Sequence, residues 1–332
     1  MNLGESLLWP LTLPYGAVAR LRARAYDKGF LRQRRLHGVV ISVGNLTTGG
    51  TGKTPMVLWL AERLLAEGKK TAILTRGYRG EASSTGSTSD EVQLLQARLG
   101  DRVAFGVGAD RFARGSELAK LGVEWFLLDD GFQHLQLARD VDIVLIDATN
   151  PFGGGHLLPA GRLREPKSAM SRADIVVITR SRHAPAVEAA IRRESRAPIF
   201  YAGARLESVL PWRAENAQLE IPRLREKKLF AFCGIGNPSA FLADLREWGF
   251  QIVAHRFFPD HHRYTPEDIY VIETDARRTG ADAFICTEKD NFNMANARFQ
   301  SFDAFYCRIS LHLDRAEEFW QAIVATVGSA QR

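Results

Sequence analysis

The stretch "SVGNLTTGGTGKTP" at residues 42–55 constrains this chain more than any other. It lies between a β-branched run, "VVISV", and the segment "KTPMVLWLAERLLAEGKK", whose apolar spacing predicts a helix with Pro55 in its first turn, where a missing N–H costs nothing. A strand, a glycine-rich loop and a helix in this order let backbone amides and the positive end of a helix dipole receive phosphate oxygens. Gly49, Gly50 and Gly52 permit the positive φ angles that turn those amides inward. Lys53 supplies a point charge for the β- and γ-phosphates and Thr54 a hydroxyl for Mg2+. The nucleotide loop then comprises Thr47, Thr48, Gly49, Gly50, Thr51, Gly52, Lys53 and Thr54, with Thr47 standing where G-x-x-x-x-G-K-[ST] has its first glycine.

Further β-branched runs at 71–75, 124–128, 142–147 and 174–180 alternate with helical stretches. That rhythm predicts an α/β fold, P-loop NTPase-like, with a mostly parallel sheet covered by helices on both faces. A charged break without clean periodicity, 211–228, ends it. A second, smaller α/β domain follows: strand 229–235, helix 238–250, strand 251–257, helix 265–280, strand 282–287 and a last helix near 315–326. The expected division is therefore 1–36, 37–225 and 226–332. The polar stretch "GEASSTGSTS" at 80–89 reads as a mobile loop. Cys233, Cys286 and Cys307 are odd in number and lack C-x-x-C spacing, which argues against a disulfide framework or a zinc site and for a reducing compartment.

The net charge of +6 is concentrated near the start. Residues 1–40 carry Arg20, Arg22, Arg24, Lys28, Arg32, Arg34 and Arg35 against Glu5 and Asp27, leaving the rest of the chain close to neutral. A globular body so nearly neutral is not a nucleic-acid binder. Just before the basic cluster, "SLLWPLTLPYGAVA" (6–19) is apolar but shorter than the roughly 18–20 residues a membrane span requires. Its charges follow rather than precede it, the reverse of a secretory signal. Such a segment fits a peripheral anchor on an anionic membrane surface. It fits a docked helix as well, since Arg22 falls near the Val18, Leu21, Ala25 stripe.

Three further motifs bear chemistry. "EWFLLDDGFQH" ends an apolar strand in Asp129 and Asp130, adjacent carboxylates that repel unless a cation or basic group lies nearby, so Mg2+ close to Lys53 is expected. In "TSDEVQLL", Ser89 or Asp90 caps a helix, or Asp90 handles the proton of an acceptor hydroxyl. "FPDHHRYTPED" sets Asp260, His261 and His262 between a strand and a helix, suited to acid–base or orienting work rather than to a metal, because no further ligands have the spacing. "LPAGRLREP", with Arg162, Arg164 and Glu165, and "TEKD" (287–290) fit a site or solvated surface equally well.

Taken in order, "VGNLTTGGTGKTP", "TRGY", "SDE", "DDGFQH", "LPAGRLREP", "CGIGNP", "FPDHHRY" and "TEKD" resemble the tetraacyldisaccharide 4′-kinase family, the lipid A 4′-kinases of Gram-negative bacteria, from about residue 5 to about 325. The resemblance implies an ATP-dependent kinase that phosphorylates the 4′-hydroxyl of tetraacyldisaccharide 1-phosphate to give lipid IVA. It implies ATP on Thr47 to Thr54, Mg2+ near Thr54, Asp129 and Asp130, and Asp90 with His261 and Lys53 as catalytic residues. His134, Glu165, Arg76 and Asp260 are additional site positions. It also implies a peripheral protein on the cytoplasmic face of the inner membrane, with a lipid A precursor as its partner and no protein partner. Val92 replaces a proline common after Asp-Glu in that family, and Asn293 a common lysine. The nearest rival, a partitioning-type P-loop ATPase, has a lysine where Thr48 stands. A nucleotide-gated binding protein without transfer activity is the rival from another class.

Overall fold

The computed structural model describes residues 3–77, 89–212, 221–294 and 299–330. Most of the expected loop at 80–89, Tyr78 of "TRGY" and residues 213–220 of the expected break lie outside the described residues. The chain forms two compact units, one of residues 1–88, 98–203 and 312–332, the other of 89–97 and 204–311.

The first unit opens with α1 (Leu3–Asp27), which continues through Pro10 and Pro14. Strands β1 (Val39–Asn45) and β2 (Thr71–Thr75) flank α2 (Lys53–Ala66). Helix α3 (Asp90–Leu99), most of which counts with the second unit, leads to β3 (Ala104–Val107), α4 (Arg111–Lys120) and β4 (Trp125–Asp129). The chain continues through β5 (Val141–Asp147), β6 (Ile175–Thr179), α5 (Pro185–Arg192) and β7 (Ile199–Pro211). Strand order is β3-β2-β4-β1-β5-β6-β7, every pairing parallel. All seven residues of β1 and of β5 are buried, the continuous apolar pattern of strands covered on both faces.

In the second unit, α6 (Ile221–Arg225) precedes β8 (Lys228–Cys233), α7 (Pro238–Glu247), β9 (Gln251–Phe257), α8 (Pro266–Thr279), β10 (Ala283–Thr287), α9 (Glu288–Asn293) and β11 (Asp303–Leu313). Its strands pair in parallel in the order β11-β10-β8-β9. Helix α10 (Ala316–Ala330) returns to the first unit, where Phe319 packs edge-on against Trp59 and Phe200 at 5.4 and 5.3 Å. The compact units part at 203/204 and α10 counts with the first, whereas the sequence division falls after 225 and keeps the C-terminus with the second.

Helix α1 is docked through small residues. Thr12 and Gly16 are buried, and a Cβ on Gly16 would stand 2.6 Å from Leu157 Cδ1. Tyr15 donates its hydroxyl to the Arg164 carbonyl at 2.9 Å. The bulky apolar residues face outward instead, Leu13 at 64%, Val18 at 65% and Leu21 at 71% exposure. No described helix is long and apolar enough to cross a membrane.

Gly44 marks where the sheet meets the loop after β4. A Cβ there would lie 2.5 Å from Phe132 Cβ and 2.7 Å from its backbone nitrogen. Phe132 is fully buried, so neither partner has room to retreat. Gly44→Ala is expected to cost roughly 1–3 kcal/mol, the scale of overpacking a filled core. An unchanged denaturation midpoint in that variant would show that the β1 end can shift.

Candidate active site

In the first unit, β1 delivers the chain into a loop whose shape is fixed by its own polar groups. The Asn45 amide donates to Thr51 Oγ1 at 3.0 Å, Thr48 N to the Arg162 carbonyl at 2.8 Å, and the Thr179 hydroxyl to the Thr51 carbonyl at 3.1 Å. Gly52 caps α2 in the left-handed region (φ 89°), and Gly49 has φ 120°. Thr47 is buried and bridges Leu163, so this position is occupied by a hydroxyl residue without disturbing the loop.

The loop after β4 folds back onto β1: Gly131 N donates to the Val43 carbonyl at 3.0 Å and the Gln133 side chain to the Asn45 carbonyl at 2.9 Å. Asp129 is buried at the strand end, and Asp130 follows with φ 49°. Lys53 Nζ lies 3.5 Å from Asp130 Oδ1, and Arg164 donates to Asp130 Oδ2 at 2.6 Å. Arg111, itself buried, donates to the Asp130 carbonyl at 3.3 Å. Burial alone would raise the Asp130 carboxyl. The charges of Lys53, Arg164 and Arg111 outweigh it and hold the carboxyl below its usual range. Basic side chains therefore already answer the repulsion for which the sequence suggests a metal.

The residues still fit Mg2+. Asp130 Oδ1 is buried without a hydrogen bond, and a carboxylate oxygen, like the Thr54 hydroxyl and the Asp129 carboxylate, is the hard kind of donor this ion takes. Among the described residues, no group of three or more His, Cys, Asp or Glu could hold a metal. An ion that keeps waters and substrate phosphates needs no such protein cage.

The additional positions separate. The His134 imidazole is pushed down to about 4, by burial first and then by Arg111, Arg139 and Arg22, so it is neutral at physiological pH. Glu165 is buried and accepts two hydrogen bonds from Arg172, at 3.0 and 2.9 Å. Arg76 is exposed, and its positive charge works against that of Arg111.

The second unit holds the other cluster. Ser89 Oγ accepts from Val92 N at 3.3 Å. The Asp90 carboxylate accepts from Glu91 N at 2.9 Å and meets His261 Nδ1 at 2.9 and 3.0 Å. The capping alternative thus falls to Ser89. Asp90 and His261, which the sequence division assigns to separate domains, lie in one compact unit.

His261 has φ 61°, in the left-handed region, and its N–H donates to the Gly234 carbonyl at 3.1 Å. His262 pairs elsewhere, with Asp268 at 2.9 Å, and stacks on Phe258. Asp260 Oδ2 stands 3.8 Å from His261 Nε2. Burial raises the Asp90 carboxyl, but the His261 hydrogen bond and the Lys289 charge reverse this and leave it lowered. The hydrogen bond to Asp90 raises His261 against the opposing effects of burial and Lys289. At neutral pH Asp90 is ionised.

Sequence reasoning leaves Lys289 and Asn293 undecided, although both reach Asp90 Oδ2, at 3.6 and 3.0 Å. It misses Arg111 and Asn45 altogether. Arg111 follows the helix-capping Asp110 and resembles any first-turn arginine until its burial is known.

A parallel sheet, a glycine loop with its lysine at the start of α2, and an acidic strand end beside that lysine define a P-loop nucleotide-binding protein. The family model for tetraacyldisaccharide-1-P 4′-kinase matches residues 4–328. The chain belongs to this family. A tetraacyldisaccharide 4′-kinase of Geobacter metallireducens is 43% identical over 301 residues, covering 86% of this chain and 87% of the relative. One from Anaeromyxobacter sp. (strain Fw109-5) is 39% identical and covers 95% and 90%. The crystal structure of LpxK from Aquifex aeolicus in complex with ATP superposes with a TM-score of 0.74 at 30% identity, covering 98% of this chain and all of that one.

Proposed function

We propose that the two clusters divide the work of an ATP-dependent 4′-kinase, the first binding the nucleotide phosphates and the second activating the acceptor alcohol. The reaction is that of the family: the γ-phosphoryl of ATP is transferred to the 4′-hydroxyl of tetraacyldisaccharide 1-phosphate in lipid A biosynthesis. The observation that carries the reading is the Lys53–Asp130–Arg164 network next to the phosphate loop, which supplies the kind of fixed charge a triphosphate requires.

In this reading the amides of Thr48 to Thr54 cradle the phosphates, and Lys53 leaves Asp130 for the β- and γ-phosphate oxygens. Thr54, Asp129 and Asp130 would hold Mg2+, which when bound neutralises charge on those oxygens. Asp90 accepts the proton of the 4′-hydroxyl as its oxygen attacks phosphorus and the bond to the ADP leaving oxygen breaks. His261 stabilises and orients Asp90. Transfer of label from γ-labelled ATP to the tetraacylated disaccharide tests this. ATP hydrolysis without labelled lipid would instead favour a nucleotide-gated binding protein.

The outward apolar side of α1, followed by its basic end, supports a protein lying on the anionic cytoplasmic face of the inner membrane, where the acyl chains of the acceptor reside. Leu13, Val18 and Leu21 make no structural demand at their exposed positions, so replacing them with serine should leave the fold and the KM for ATP unchanged. The triple variant is expected to lose co-sedimentation with anionic vesicles and to show a higher apparent KM for the lipid. Wild-type co-sedimentation would mean that α1 is a docked helix only.

A further inference from the structure

Lys289 is a half-buried charge beside Asp90 that the proposed reaction does not use. It stands on the first turn of α9, and its Nζ lies 3.6 Å from Asp90 Oδ2, 3.5 Å from Glu91 Oε1 and 3.7 Å from Asp260 Oδ1. Its side chain is only 17% exposed. The ionisable groups facing it are Asp90 and Glu91 from α3 and Asp260 and His261 from the turn after β9. Three carboxylates thus converge on one ammonium, with His261 as the other basic group of the cluster. Asn293, on the same short helix, donates its amide to Asp90 Oδ2 at 3.0 Å.

The helix that carries both residues is itself pinned to the turn that carries His261. Asp290, fully buried, accepts from Thr287 Oγ1 in a capping box, from Tyr264 OH at 2.8 Å and from Gly234 N at 2.7 Å. The Gly234 carbonyl in turn accepts the His261 N–H at 3.1 Å. A Cβ on Gly234 would come within 3.0 Å of both His262 Cβ and the Pro259 carbonyl, so the turn sits hard against this strand end. One set of hydrogen bonds therefore fixes both partners of Asp90.

We propose that Lys289, with Asn293, is a positioning residue for the proton-accepting step: it aims the Asp90 carboxylate through Oδ2 and offsets the negative charge of Glu91 and Asp260. The inference rests on the assignment of Asp90 and His261 to that step. The physical need is plain. Without the ammonium, Asp90 faces two carboxylates across a partly buried cluster, its anion is disfavoured, and its carboxyl can rotate about Cβ away from His261. Loss of Lys289 removes an attraction from Asp90 and a repulsion from His261, so both groups titrate at higher pH.

The test compares Lys289→Met, Lys289→Arg and Asp90→Asn in the full-length protein. Lys289→Met is expected to lower kcat about tenfold, a part of the roughly 10²–10⁴-fold that a well-aimed general base contributes, because the Asp90 carboxylate loses its aim, and to leave the KM for ATP unchanged. The acid limb of its kcat profile should move to higher pH, and the His261 imidazole resonances should titrate at higher pH than in the wild type. Lys289→Arg should restore most of both. A wild-type pH profile and an unmoved His261 titration in Lys289→Met would overturn the proposal, as would Lys289→Arg behaving like the methionine variant. The His261 titration is read without turnover, so it separates the outcomes: Asp90→Asn with wild-type kcat would sink the assignment of the proton-accepting step itself, whatever Lys289 does.

Discussion

Lys53→Ala is expected to lose transfer by roughly 10²–10³-fold or more while retaining the fold, the scale of removing one preorganised charge from a phosphoryl transition state. The residue opens α2 with a half-buried side chain that pairs with Asp130 at 3.5 Å. The apolar packing of that helix is carried by Met56, Val57, Leu58, Leu60, Ala61 and Leu64, none of which depends on the lysine. Alanine leaves Asp130 its 2.6 Å hydrogen bond from Arg164, so the carboxylate does not become an uncompensated charge. Circular dichroism and thermal melting should therefore match the wild type, and the loss should appear in kcat at saturating MgATP. Wild-type turnover under those conditions would remove the phosphate loop from the reaction.

The second large effect is expected at Asp90 and His261. Alanine at either should lower kcat by roughly 10²-fold or more, the contribution of general acid–base catalysis. Because the two share hydrogen bonds at 2.9 and 3.0 Å, either loss disables the same step, and the double variant should be little worse than the poorer single one. Multiplicative effects would mean two independent roles.

The same pair links stability to pH. Asp90 has a lowered carboxyl, so its contribution is present above the usual carboxylate value of 3.8 and is lost as pH falls through the lowered one. His261 has a raised imidazole, so its contribution is present below 6.5 and is lost as pH rises through the raised value. The pair therefore stabilises most between those limits, and Asp90→Asn should flatten that part of the stability profile.

Elements specified by a short-range pattern are legible in the residues alone. The runs 71–75 and 251–257 match β2 and β9 at both bounds, and the expected α2, α7, α8 and β10 agree with the fold within a few residues. The strands among them are unbroken or alternating apolar runs, and α7 and α8 add sharp start signals, Pro238 after Asn237 and Pro266 after Thr265. Strands β3 and β7 carry no such pattern. The "AFGV" of β3 is mostly half-buried and contains a glycine, while β7 passes through Gly203, Arg205 and Glu207, partly exposed positions without a clean period. The apolar segment at 6–19 contains Pro10 and Pro14, yet both sit within the single helix α1.

The chemistry of the phosphate loop is written locally, since glycine, lysine and threonine at fixed spacing act through the backbone that carries them. So is the alternation of strands and helices, because burial on both faces demands continuous apolar runs. Which charges meet is a matter of the tertiary fold. Nothing local distinguishes Lys289 or Asn293 from surface residues, since their partner Asp90 lies about 200 positions away. Arg111 reads as a first-turn arginine until the loop after β4 folds over it. Charge pairs of this kind are set by how strands are ordered, and strand order is a property of the whole sheet rather than of any segment within it.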